Sequence, residues 1–98
     1  MNTTENNKII AEFMKWDILN DMTYSKATKG KWIELDKLKF HSDWNWLMEV
    51  VEKIAPLISE SEFKYRIGND LLSVNKEGVY NACVEFIKWY NENGAKNN

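Results

Sequence analysis

Between Asn75 and Gly94 the chain reads as one amphipathic helix with almost no wet side, and this stretch constrains the fold more than any other. At about 100° per residue, Val79, Cys83, Phe86, Ile87 and Tyr90 share a face, and Tyr80, Ala82, Val84 and Trp89 flank it. Only Asn81, Glu85, Lys88 and Glu92 remain as a polar stripe. A stripe that narrow calls for cover on most sides, by a sheet and by another helix. Asn75 is a capping residue type, and Gly94 suits the position just past the helix end. With 98 residues in all, the expectation is a single domain, 1–98, with frayed ends at 1–5 and 95–98.

Two further helices are expected. The first begins near Thr4 or Glu5, where Thr4 can cap and Glu5 suits the positive helix end. Ile9, Ile10, Phe13 and Met14 then form one apolar stripe with Trp16 at its edge, and the pattern fails over 17–21. The second starts at Ser42 as N-cap with Asp43 behind it. Its predicted inner face is Trp44, Leu47, Met48, Val51, Ile54 and Ala55, with Asn45, Glu49, Glu52 and Lys53 outside. Pro56 predicts a stop near Ile54 or Ala55.

Strands are sought elsewhere. Residues 62–67 alternate Phe63, Tyr65 and Ile67 against Glu62, Lys64 and Arg66, the pattern of a half-buried strand. Gly68, Asn69 and Asp70 read as a turn, and 71–74 as the returning strand. Short strands are also readable at 31–35 and 38–40, with a loop over 23–30. The predicted fold class is α+β: three helices packed on a small antiparallel sheet of two to four short strands.

Composition excludes several functions. The longest apolar runs are a few residues, against the ~20 that span a bilayer. A polar start without a signal-type apolar core places the protein in the cytoplasm, where the single Cys83 stays reduced. One cysteine leaves no internal disulfide and no cysteine-built metal site. The net charge is −2 and Arg66 is the only arginine, which argues against nucleic-acid binding, so direct contact with nucleic acid is not the expectation.

No catalytic constellation stands out. His41 is the only histidine, with Glu34, Asp36 and Asp43 near in sequence. A metal site needs three or four ligands, so no metal or other cofactor is expected. His41, Ser42 and Asp43 are the residue types of a hydrolytic triad, but adjacent residues cannot orient one another into one. Cys83 lies on the apolar helix face, where burial makes a thiol inert. Glu49, Glu52, Glu60 and Glu62 read as a solvated acidic surface. The chain is therefore expected not to be an enzyme.

Binding signals are clearer. Lys26, Lys29, Lys31, Lys37 and Lys39 surround Trp32 against only Glu34 and Asp36. Charge on the backbone and stacking on an indole make this a candidate nucleic-acid contact. Residues 43–62 are acidic in turn, and such a dipolar surface suits steering toward a protein partner. Trp46 lies about 200° around its helix from Trp44, so the two cannot face one core. With Trp44 inside, Trp46, Val50 and Lys53 form a second ridge; the competing reading packs Trp46 on residues 17–41 of its own chain. Trp46, Val50, Lys53, Trp89 and Trp32 are thus the candidate partner-binding residues.

Three stretches, NKIIAEFM (7–14), LKFHSDWNWLMEVVEKIA (38–55) and VYNACVEFIKWYN (79–91), together resemble small uncharacterised proteins of phages, prophages and mobile elements of Bacteroidetes-type bacteria. The resemblance carries no chemistry and transfers no site residue. It implies a strand-rich stretch before the last motif, for which 56–78 is short. It also implies a non-catalytic phage-type binding protein for host defence evasion. The concrete expectation is an anti-CRISPR-like inhibitor, whose partner is a host RNA-guided effector nuclease or its guide-RNA complex. The alternatives are an RNA-binding accessory protein and a structural or assembly protein forming a homodimer.

Overall fold

The computed structural model describes residues 3–25, 28–58 and 62–94; Lys26, Glu60 and the ends 1–2 and 95–98 lie outside the described residues. The order is α1 (Thr3–Phe13), β1 (Asp17–Leu19), β2 (Met22–Tyr24), β3 (Ile33–Glu34), a 3-10 turn (Leu35–Lys37), α2 (Trp44–Ile58), α3 (Glu62–Leu72) and α4 (Lys76–Trp89), which runs into a π turn (Tyr90–Gly94). The chain is α+β, with a three-stranded antiparallel sheet of order β1-β2-β3. Four α-helices stand among the described residues where three were expected. Two compact units divide them, Met1–Leu38 and Lys39–Asn98.

In the first unit α1 packs on the 3-10 turn and β1. Ile10 and Ala11 are sealed, and so are two polar residues, Asn6 and Asn7. The Asn7 side-chain amide donates to the Leu35 carbonyl at 2.7 Å, which pairs a group otherwise costly to bury. α1 includes Thr3, Thr4 and Glu5, which were expected within the frayed end 1–5. At the far end, the Trp16 amide donates to Ala11 and the Lys15 amide to Glu12, with Lys15 at φ 63°. That is the closing pattern usually built on glycine, made here without one.

The sheet lies where the sequence was read as irregular. β1 and β2 pair Asp17 with Tyr24 and Leu19 with Met22, leaving Asn20 and Asp21 as a two-residue turn. Asn20, at φ 57°, takes the left-handed conformation that asparagine tolerates better than most residues. β3 falls inside the expected 31–35 strand, pairing Thr23 with Ile33. Residues 38–40 form no strand; Leu38 and Phe40 are buried as single anchors.

The second unit is three helices, with α3 and α2 both packed on α4. Asp43, not Ser42, caps α2: its carboxylate accepts the Asn45 amide at 2.8 Å, while the Ser42 carbonyl accepts the Lys76 ammonium at 3.0 Å. The helix passes Pro56 and ends at Ile58. So near the end, proline removes one hydrogen bond, and the apolar row through Ala55 and Ile58 continues past it. The inner face is also rotated from the one expected: Leu47, Val50 and Ile54 are sealed, while Trp44, Met48 and Val51 are half-buried.

Residues 62–72 form a helix, not the expected hairpin. Phe63, Ile67 and Leu71 lie four apart, so the same residues also make a helical stripe. Packing decides between the two patterns. Phe63 meets Phe86 edge-on at 5.7 Å, and Ile67 is buried. Arg66 pairs with Glu85 across the α3–α4 seam. The chain leaves α3 through Asn75 amide to Asp70 and Val74 amide to Leu71 bonds, with Val74 at φ 54°.

Asn75 then caps α4, accepting the Gly78 amide at 3.0 Å. A Cβ on Gly78 would stand 2.6 Å from the Asn75 side chain and 2.7 Å from the Asp70 carboxyl, so a larger residue would have to push these two side-chain ends aside. Seven α4 residues from Val79 to Ile87 are buried, with Glu85 and Lys88 wet. Asn81, placed on the wet stripe by sequence, instead holds its amide oxygen buried and without a hydrogen-bond partner. Asn75→Ala is expected to lower stability by about 1 kcal/mol in urea unfolding; an unchanged midpoint would show the cap contributes nothing.

Candidate functional site

Because α2 and α3 lean on α4 but meet each other only sparsely, an apolar groove stays open between them. One depression of about 230 Å³ is lined by Val51, Ile54, Ala55 and Ile58 of α2 and by Lys64, Ile67, Gly68 and Leu71 of α3. A second, of about 360 Å³, is lined by Trp44, Met48, Leu71 and Val74. Leu71 belongs to both, so they form one run. On α2 the run is Trp44, Met48, Val51, Ala55 and Ile58, spaced four, three, four and three apart, which is one continuous helix face. It extends for about 21 Å at 1.5 Å per residue.

Ile54 and Ile67 are buried in its walls. In its lining Val74, in the turn after α3, is exposed to 70%; on α3 itself Tyr65 and Leu72 are exposed to 61% and 87% but do not line the groove. Val74 is both exposed and left-handed, which is costly for a β-branched side chain, by about 1–3 kcal/mol. A strained apolar residue at the mouth of an apolar groove points to a use for the surface. On α2 the exposed Glu49 and Glu52 lie toward the solvent side of the run. At the Trp44 end, the Lys76 ammonium sits 6.0 Å from the indole centre.

The residues singled out from sequence are scattered. Trp46 is half-buried and meets Phe40 edge-on at 5.4 Å, in line with the reading that packs it on its own chain. Val50 is fully buried, which corrects its place on a binding ridge: the rotation of α2 turns it inward. Lys53 is exposed. Trp89 is 45% exposed at the edge of an aromatic cluster with Phe63 and Phe86. Trp32 is 46% exposed and lies against Tyr24, with Lys29, Lys31 and Lys37 exposed in the same unit. Lys39 is exposed and belongs to the second unit.

The groove residues Leu71 and Val74 fall in the stretch expected as the returning strand, 71–74. The four-residue spacing of Phe63, Ile67 and Leu71 was the available signal, since it marks a helix face as well as alternating strand positions.

His41 is exposed and meets the Tyr80 ring at 5.8 Å. Among the described residues no group of three or more His, Cys, Asp or Glu is placed to hold a metal ion. No helix among them is long and apolar enough to cross a membrane. No protein-family model, curated protein or solved structure matches the chain, so the site is read from its own geometry.

Cys83 is fully buried, and burial pushes its thiol up to about 12 from 9.0. Burial likewise raises the Tyr80 phenol to about 12 from 10.0. Both groups keep their protons in the folded chain after the unfolded chain has lost them. Their contribution to stability is complete below the unfolded values and is lost as pH climbs through the folded ones. The urea midpoint is expected to fall between pH 9 and 12, less steeply in Cys83→Ala. Native Cys83 should also resist alkylation at pH 8 and react at once in urea; fast native alkylation would place the thiol outside the core.

Proposed function

We propose that the chain is a non-catalytic protein-binding module that takes up an amphipathic helix of a partner in the α2–α3 groove. The observation that carries this reading is the long apolar run with Val74 left exposed in its lining. The run of about 21 Å along α2 suits four turns of a helix laid into it. The occupant carries large apolar residues at i, i+4 and i+7, with basic residues on the edge facing Glu49 and Glu52. The partner we carry forward is a host RNA-guided effector nuclease, held stoichiometrically in the bacterial cytoplasm as the resemblance to phage-type proteins implies. Such an inhibitor acts by favouring one conformation or covering a channel, without turnover.

Titration of the nuclease tests this. Cleavage is expected to reach zero near one equivalent. Ala55→Asp combined with Val74→Asp, both exposed in the groove lining, is expected to weaken binding by about tenfold or more with the fold intact. Val74→Gly relieves the left-handed strain, and is expected to hold or raise stability while binding falls. Full inhibition far below one equivalent, or wild-type affinity in the Ala55→Asp, Val74→Asp variant, would contradict the reading. A groove-dependent homodimer in light scattering would replace the partner helix by a second copy.

A further inference from the structure

Independently of the groove, we infer that the first unit carries a stacking site for single-stranded nucleic acid on Tyr24 and Trp32, with Lys29 and Lys31 as its phosphate contacts. The two rings lie 5.6 Å apart at 39°, and both are substantially exposed, to 39% and 46%. Aromatic residues that meet only solvent on one side contribute little to a core. Offered side by side beside cations, they present what bases stack on, because every base has a π face.

The turn that carries the lysines is fixed. Thr28 is buried, and its hydroxyl accepts the Ser25 amide at 3.0 Å and donates to the Ser25 carbonyl at 2.9 Å. The Gly30 amide also donates to Ser25, and the Lys31 amide to Thr28, each at 3.2 Å. Lys29 and Gly30 are both left-handed, at φ 58° and 73°. A Cβ on Gly30 would stand 3.9 Å from the Tyr24 hydroxyl, which puts the turn beside the ring. Lys29 and Lys31 are exposed on it, on either side of Gly30.

Charge across the sheet is polarised. Asp21, Glu34 and Asp36 gather with Thr4, Asn20 and Met22 around a shallow cleft at the β1–β2 turn. Tyr24 lies at the other end of β2, from which the Lys29–Lys31 turn departs. Asp17 pairs with Tyr24 across β1–β2 and is the acidic residue that opposes a phosphate there. A strand entering at the lysine end avoids the acidic cleft, so the polarity fixes where phosphates sit. A basic peptide would be drawn to the opposite end.

Fluorescence anisotropy of a labelled uridine dodecamer against the full chain at low salt tests the site. Binding is expected, with a salt slope near −1.4 if both lysines neutralise a phosphate (about −0.7 each on single strands). Trp32→Ala is expected to weaken it by about fivefold or more, and Trp32→Phe by less. Lys29→Gln with Lys31→Gln flattens the salt slope, and Trp89→Ala changes nothing. An absence of binding at millimolar protein would overturn the inference. So would unchanged affinity in Trp32→Ala, or a mononucleotide such as AMP binding as tightly as the dodecamer. Loss of nuclease binding in Trp32→Ala with dodecamer binding intact would assign the rings to a protein instead.

Discussion

The burial of α4 is the constraint on which the second unit depends. A helix with seven sealed residues has to be covered from more than one direction, and α2 and α3 supply that cover. At about 25 cal/mol per Å², the aromatic and aliphatic area removed from water along Val79–Ile87 outweighs local preferences elsewhere. It draws Phe63 and Ile67 into a helix against Phe86 in a segment that alternates like a strand. It also rotates α2 so that Val50, not Val51, faces inward.

The groove follows from the same arrangement. Two helices that both lean on a third expose their facing sides to each other, and these sides are apolar here from Trp44 to Ile58 and at Ile67 and Leu71, with Lys64 at one end. A protein with no use for such a face would be expected to place polar residues there, because exposed apolar patches promote association. Instead its lining includes the exposed Ala55 and an exposed, left-handed Val74 where glycine would be easier. Strain and exposure at one residue form the physical basis for reading the groove as a binding surface.

Legibility in the sequence tracked how much each element depends on distant contacts. The last helix was readable because its cap, its stripe and its terminal glycine agree, and Asn75 caps as expected. The α+β class was readable too, although the strands stand elsewhere. β1 and β2 are three residues each and are held by pairing and by the Thr23 hydroxyl on the Asp17 carbonyl, which leave no periodic signal. The ends of α1 and α3 were hidden because Lys15 and Val74 take the place of glycine. For the candidate site, the exposed indoles Trp32 and Trp89 were anticipated as surface residues. The groove was not, because α3 was read as a hairpin and Pro56 as the end of α2.

Site-resolved amide hydrogen exchange of the free chain tests the central role of α4 most directly. The account predicts that amides within Val79–Ile87 exchange slowest in the second unit, at the rate set by its global unfolding, with those of α3 and the last turn of α2 opening earlier. Amides of α4 exchanging as fast as those of α3, or slow exchange in 62–74 arranged in an alternating strand pattern, would contradict it.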